Sequence, residues 1–144
     1  MTRNTLAIIA IQDIHYQVKI IEQEEVIYHT SSAISIIKEN CLYYGASYKG
    51  RQASVKYHLD FQQKTPIPIQ PTKDIYAFPT ESPKSFTCCW FFFHAIASIN
   101  QTEHQQSVIH FANGKKETFP ISHHTMKKQY DRTGMVKVLF DPWG

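Results

Sequence analysis

The sequence has few of the features that mark secreted, membrane or disulfide-bonded proteins. Its three cysteines are an odd number, and the adjacent Cys88 and Cys89 cannot bridge each other without strain. No apolar run approaches the roughly 18 residues of a membrane helix, and the N-terminal segment has no small-residue cleavage site for secretion. We therefore expect a cytoplasmic protein with no membrane partner and no disulfide framework.

The cysteines and histidines also lack the spacing of a metal site or a catalytic pair. Structural zinc needs two pairs of ligands such as C-x₂₋₄-C, whereas Cys88, Cys89 and His94 form one group and His123-His124 a second, dissimilar one. Neither a glycine-rich nucleophile turn nor an orienting acid can be named beside Cys89. We predict no metal, no cofactor and no catalytic residue; a Cys/His nucleic-acid enzyme is the least favoured alternative.

The net charge is small but unevenly distributed. Fifteen Lys plus Arg against twelve Asp plus Glu give +3, which is too mild to identify a nucleic-acid binder by itself. Residues 1–40 contain three bases and five acids, a net −2, so twelve bases against seven acids leave +5 for the remainder. The basic part begins at GASYKGRQASVK, residues 45–56, which contains no acid.

Apolar patterns predict an α+β fold: one domain over residues 1–144, with an antiparallel β-sheet, β-hairpins and two or three short helices. Runs at Leu6–Ile11, Val18–Ile21 and Val26–Tyr28 predict a strand followed by a hairpin. DIYAF, residues 74–78, predicts a short strand. CCWFFFHAI, residues 88–96, is the most apolar run and predicts a buried strand.

Turn and capping residues place the remaining elements. Asn113-Gly114 in VIHFANGKKETF predicts a hairpin with a type I′ turn, and Ser122 predicts the start of a helix that runs through Tyr130. Residues 51–59 fit both a strand and one face of a helix, so their structure stays open. Residues 30–32 offer N-caps for a helix that ends at Gly45. Its apolar stripe is Ile34, Ile37, Cys41 and Tyr44.

Five segments stand in this order along the chain: CLYYGASYKGR (41–51), TPIPI (65–69), IYAFPTESP (75–83), Cys-Cys-Trp with His94 in CCWFFFHAI, and FANGKKETFPIS (111–122). Together they resemble the ComK family of competence transcription factors of Bacillus-like bacteria. They follow the family's order over roughly residues 30–133. The resemblance implies a DNA-binding transcriptional activator of DNA-uptake genes that binds paired A/T-rich boxes, largely from the minor groove and as a homo-oligomer. RNA polymerase is a candidate partner.

The resemblance stops at the C-terminus. This chain ends at LFDPWG soon after the last predicted helix, whereas better-known family members continue into a tail that serves in recognition by an adaptor and a protease. We therefore do not expect that recognition here. The alternative hypothesis is a non-activating interaction protein that modulates a full-length ComK-type activator or its degradation adaptor.

Three basic clusters are the candidate DNA contacts. Lys49, Arg51 and Lys56 are expected in a loop whose glycines let the backbone approach DNA, with the lysines on phosphates and Arg51 in a narrow A/T minor groove. The alternative for each cluster is a solvated surface. The other two clusters are Lys115 with Lys116 at the hairpin tip, and Lys127, Lys128 and Arg132 on the last helix. Core or interface positions are expected for Tyr43, Tyr44, Tyr48 and Tyr57.

Overall fold

Two antiparallel sheets and three α-helices form the fold in a computed structural model, which describes residues 2–142. The predicted α+β class is confirmed. The helices are α1 (Ala33–Tyr43), α2 (Tyr48–His58) and α3 (His123–Phe140). The strands are β1 (Thr5–Ala10), β2 (Val18–Glu22), β3 (Val26–His29), β4 (Ile67–Gln70), β5 (Ile75–Pro79), β6 (Trp90–Phe92), β7 (Ile96–Gln101), β8 (Ser107–Phe111) and β9 (Lys116–Phe119).

The larger sheet has six strands in the order β3-β2-β1-β6-β5-β4. The predicted first strand and hairpin are confirmed as β1, β2 and β3, and DIYAF supplies β5. The prediction of one strand over residues 88–96 is wrong, because only Trp90–Phe92 pair in this sheet. A 3₁₀ helix at Phe93–Ala95 then turns the chain, and β7 begins the second sheet at Ile96.

The smaller sheet has the order β7-β8-β9, and its β8–β9 hairpin is the one predicted from Asn113-Gly114. The predicted type I′ turn is wrong. Such a turn needs positive φ at both central residues, and of this pair only Gly114 has one, at 91°. Instead, the Gly114 N–H closes a turn onto the Phe111 carbonyl at 3.0 Å, and the Lys115 carbonyl accepts from the Phe111 N–H at 2.8 Å.

Helix α1 confirms the predicted cap and stop. The Ser32 side chain accepts from the Ser35 N–H, and Gly45 follows the helix at φ 89°, a left-handed conformation that suits glycine. Of the predicted apolar stripe, Ile37 and Cys41 are fully buried. Ile34 and Tyr44 pack more loosely at the edge of the core.

Helix α2 includes most of residues 51–59, whose structure the sequence left open. The predicted loop for Lys49, Arg51 and Lys56 is wrong, because all three lie on this helix. The Ser47 hydroxyl caps it by accepting from the Gly50 N–H at 2.9 Å. A side chain at Gly50 would place its Cβ 2.9 Å from that hydroxyl oxygen. Gly50 therefore makes room for the cap, and Gly45 ends α1, so both glycines have local structural roles.

Helix α3 is longer than predicted: it begins after the Ser122 cap as expected but continues to Phe140 instead of ending near Tyr130. Its inward face repeats at helical spacing, but two of its members are polar, which weakens the apolar signal. Thr133 donates its hydroxyl hydrogen to the Gln129 carbonyl at 2.7 Å. The buried residues are Met126, Gln129, Thr133 and Val136.

Aromatic side chains join the two sheets into one core. Phe119 of the small sheet meets Phe91 of the large sheet edge to face, with ring centroids 5.0 Å apart. Phe111 adds a second edge contact to Phe119 at 6.4 Å. Trp90 and Phe92 are completely buried, which confirms the predicted core position of this run. No helix within residues 2–142 is both long and apolar enough to cross a membrane.

Candidate nucleic-acid interface

Helix α2 presents two of the predicted cations on its outer face. Tyr48 and Val55 face the core, while Lys49 and Lys56 are exposed. The two lysines are seven residues apart, so they lie on the same helical face, about 10 Å apart along the axis. Among residues 2–142 neither forms an ion pair. Both ammonium groups are thus available to an external anion.

Arg51 is not brought together with these lysines. Arg51 is two residues from Lys49, so its position is rotated about 200° around the helix. Its side chain is half-buried, and its Nε is buried with no hydrogen-bond partner among residues 2–142. It lies near Cys41 and Tyr76. Burial raises the pKa of the Cys41 thiol to about 11 and of the Tyr76 phenol to about 12, and the Arg51 charge opposes both shifts.

The hairpin tip carries Lys115 and Lys116, both exposed. The hairpin itself is held against the large sheet. Asn113 Nδ2 donates to the Gln23 carbonyl at 2.9 Å, and the Lys19 ammonium pairs with the Glu117 carboxylate at 2.9 Å. These contacts fix the position of both lysines relative to β2.

In the third cluster, at the start of α3, only part of the charge is available. The Lys127 ammonium pairs with Asp131 at 3.1 Å, whereas Lys128 is exposed. Both line an open groove, and none of its other lining residues is predicted from the sequence to bind DNA. The sequence makes His123 and His124 candidates only as metal ligands. The sequence feature that could have identified His123 and His124 is their position directly after the Ser122 cap. The other lining residues are Gln101, Gln105, Ser122, His123, His124 and Asp131.

Arg132 is tied into the protein. Its guanidinium donates to Gln129 Oε1 at 2.7 Å and to the Gln63 carbonyl at 3.0 Å, and it stacks 4.1 Å above the centre of the Phe61 ring. Burial lowers its pKa. Gln129 in turn donates to the carbonyls of Lys64 and Pro79, at 2.8 Å and 2.7 Å. This network attaches α3 to the segment before β4 and to the end of β5.

The clusters on α2 and α3 are separate patches. The C-terminal end of α2 packs at the C-terminal end of α3, where the His58 and Phe140 rings lie 5.9 Å apart. Lys128 is twelve residues before Phe140, which is about 18 Å along the axis of α3. Neither Lys49 nor Lys56 is among the residues that line the groove of Lys127 and Lys128.

The cysteines and His94 have structural surroundings. All three thiols are buried and unbridged. Burial raises the pKa of Cys88, and raises that of Cys89 to about 11, so these thiols are protonated at neutral pH. Burial lowers the pKa of His94, whose Nε2 donates to the Arg3 carbonyl at 2.8 Å. In the described part of the chain, no three His, Cys, Asp or Glu residues are placed to hold a metal ion.

The four tyrosines divide between core and surface. Tyr48 is buried and meets Trp90 edge to face at 6.5 Å, as expected for a core residue. Tyr43 and Tyr57 are 79% and 86% exposed. A core position is therefore wrong for these two, and an interface role stays a prediction.

Fold and surface together describe a small α+β domain with exposed lysines on a helix, a hairpin tip and a groove. The chain belongs to the ComK family: the family model, described as ComK protein, matches residues 1–142. The competence transcription factor of Bacillus subtilis (strain 168) is 31% identical over 122 residues, which cover 85% of this chain and 64% of that relative. The chain thus spans slightly less than two thirds of the relative's length. No solved structure matches it.

Proposed function

We propose that this chain is a DNA-binding transcriptional activator of competence genes that recognises A/T-rich boxes, mainly through the minor groove and as an oligomer. The observation that carries the proposal is the family match over residues 1–142, together with a relative that bears the name competence transcription factor. The proposed role includes no catalytic step. It places the protein in the cytoplasm, with DNA and RNA polymerase as partners.

Lys49 and Lys56 are the proposed phosphate contacts of α2. Both lysines are exposed on one helical face, and neither forms an ion pair within residues 2–142, which supports this role. Charge-assisted contacts to phosphate fix the register of a protein on the duplex but carry no sequence information. Reading of A/T sequence is assigned to Arg51, because a guanidinium is weakly hydrated and favours the negative potential of a narrow minor groove. This assignment requires the groove to reach the side of α2 that faces away from the lysines.

The hairpin and α3 lysines are proposed as additional phosphate contacts. Lys128 lines a groove whose lining includes neither α2 lysine. Lys128 and the α2 lysines can therefore bind different phosphates of one duplex. The same reasoning includes Lys115 and Lys116, whose position the docked hairpin fixes. Lys127 and Arg132 are the weakest candidates, because both already bind groups of the protein.

A mobility-shift titration tests the proposal directly. The purified chain should bind an A/T-box duplex more tightly than a G/C-rich duplex of equal length. It should also bind one duplex that carries two boxes more tightly than two separate duplexes with one box each. Distamycin should displace it, while methylation of guanine N7 in the major groove should leave affinity almost unchanged. Equal affinity for both duplexes would contradict the proposed A/T recognition.

A transcription assay then separates activator from modulator. With RNA polymerase and a promoter that carries two A/T boxes, the proposed activator should increase transcript. A chain that binds the boxes without increasing transcript, and instead changes the output of a full-length ComK-type activator, would fit the non-activating interaction protein.

A further inference from the structure

The two edges of the six-stranded sheet are built differently. At one edge, β4 contains Pro68, its register with β5 shifts between Pro68 and Gln70, and Ile67 and Ile69 are fully buried. Proline, irregular pairing and coverage are the devices that prevent a sheet edge from pairing with another chain. The edge at β4 is therefore closed.

The opposite edge, β3, has none of these devices. All four of its residues are exposed, it pairs with β2 in an unbroken register, and it contains neither proline nor lysine. Val26, Ile27 and Tyr28 are 45%, 37% and 52% exposed. Tyr16, itself 41% exposed, extends the apolar surface through a ring contact to Tyr28 at 5.7 Å. A regular, apolar and uncovered edge is a template for another strand.

We propose that β3 is a self-association surface, at which it pairs antiparallel with β3 of a second copy of this chain. The first argument is the direction of the backbone groups. The Glu22 N–H donates to the Glu25 carbonyl at 2.8 Å, so Glu25 and, by alternation, Ile27 direct their backbone groups toward β2. The N–H and C=O groups of Val26 and Tyr28 therefore point outward.

These outward groups determine the register. A two-fold antiparallel ladder that uses both residues pairs Val26 of one copy with Tyr28 of the second copy, and the reverse. Ile27 then faces Ile27 of the second copy at the two-fold axis. A shift by one residue would place the inward-directed groups of Ile27 opposite outward-directed ones, so it would break the ladder.

The same register is electrostatically complementary, which is the argument for a second copy as the occupant. It places Glu25 opposite His29 of the second copy, twice by symmetry, in non-hydrogen-bonded pairs where facing side chains are closest. His29 Nδ1 accepts from the Ser31 N–H at 3.0 Å, so in the neutral ring Nε2 carries the hydrogen. That N–H can donate to the carboxylate across the interface.

The β3 surface specifies how the oligomer of the proposed function would form. Its biological role rests on that proposed function. It predicts a dimer that forms through two sheets joined into one, without DNA. The α2 lysines are on a different element from β3, so dimerisation and phosphate contact can be measured separately.

A charge-exchange experiment at Glu25 and His29 tests the proposal. Sedimentation equilibrium of the full chain without DNA should show a reversible dimer. His29→Glu should weaken dimerisation about tenfold or more, because it places two carboxylates opposite each other at both symmetric positions. Glu25→Lys should weaken it as well, and the double variant E25K/H29E should restore it to within about threefold of the original chain.

Two further variants make the result decisive. Glu39→Lys makes the same charge change at an exposed position of α1 and should leave dimerisation unchanged. Ile27→Lys places two like charges at the two-fold axis and should abolish the dimer while circular dichroism stays native. A monomer at all concentrations, single variants without effect, or a double variant as weak as the singles would overturn the β3 surface.

Binding to one isolated A/T box distinguishes this failure from failure of the proposed function. A monomeric chain that still prefers the A/T box refutes only the β3 surface. A dimer with the expected charge-exchange pattern but no A/T preference refutes only the proposed DNA recognition.

Discussion

The basic clusters of α2 and α3 have the same composition, two lysines and one arginine, but different surroundings. On α2 both lysines are exposed and form no ion pair with any group of residues 2–142, and the arginine is half-buried. On α3, Lys127 is paired with Asp131 and Arg132 is hydrogen-bonded twice. Within the described part of the chain, Lys128 alone of this cluster is exposed without an ion pair. The two clusters therefore contain the same number of cations but differ in how many of them are available to a ligand. Lys127 and Arg132 of α3 thus bind groups of the protein itself, whereas the ammonium groups of both α2 lysines are exposed.

The largest expected effect is at Gln129, at the centre of the α3 network. Gln129→Ala should lower the free energy of unfolding by about 2–4 kcal/mol, because two backbone carbonyls lose their donor and Arg132 loses an acceptor. Urea denaturation measures this change. Gln101→Ala, at an exposed position of β7, is the matched control and should stay within about 0.5 kcal/mol. A similarly small effect at Gln129 would show that the network does not stabilise α3.

The next effect concerns Arg51 and the recognition of sequence. Arg51→Ala should reduce the preference for A/T-box over G/C-rich duplex by on the order of 1–3 kcal/mol. Arg51→Lys keeps the charge but introduces a strongly hydrated ammonium, so it should retain most nonspecific affinity and lose part of the preference. Fluorescence anisotropy with both duplexes measures the difference. An unchanged preference in both variants would assign Arg51 to the fold instead of the groove.

A smaller effect on stability is expected at Arg132. Arg132→Ala should cost about 1–2 kcal/mol of unfolding free energy through loss of two hydrogen bonds and the stack on Phe61. Lys128→Ala is the control from the same helix and should change stability by less than about 0.5 kcal/mol. Thermal and urea unfolding of the two variants provide the comparison. If Lys128→Ala proved the more destabilising, the contrast between these neighbouring cations would be incorrect.

The smallest effects are those of single lysines on DNA affinity. Lys49→Ala and Lys56→Ala should each weaken binding to all duplexes several-fold, and each should reduce the slope of log K against log salt by about 0.9 per protomer. Lys127→Ala should reduce it less, because Asp131 already partly neutralises that ammonium. Titrations at four salt concentrations give the slopes. Equal slopes for Lys49→Ala and the original chain would remove α2 from the interface.

Much of the fold was predictable because its signals are local. Ser32 and Ser122 begin α1 and α3 as predicted, since a side-chain oxygen satisfies an N–H group of the first helical turn. Apolar and β-branched runs identified β1, β2 and β3, and the Asn113-Gly114 pair identified the β8–β9 hairpin. In each case a few neighbouring residues contain the information.

Two features of the fold depended on contacts with distant parts of the chain. Residues 51–59 fit both a strand and one face of a helix by spacing, so the sequence left their structure open; in the structure Val55 lies in α2 and is buried with Tyr76 and Val136. The C-terminal half of α3 was missed because Thr133 is polar yet buried, with its hydroxyl bonded to the Gln129 carbonyl. Packing partners far along the chain can thus outweigh the local pattern.

The sequence by itself determined the α+β class, the hairpins, two of the helix caps and the family, because these depend on neighbouring residues or on ordered motifs. It also identified all eight candidate cations by residue type and position. Only the tertiary structure decided which of them are available. The guanidinium of Arg132 is held by Gln63, 69 residues away in the chain, while Lys49 and Lys56 project from α2 without an ion pair among residues 2–142. Availability depends on the groups that folding brings next to a charge, and spacing along the chain does not contain that information.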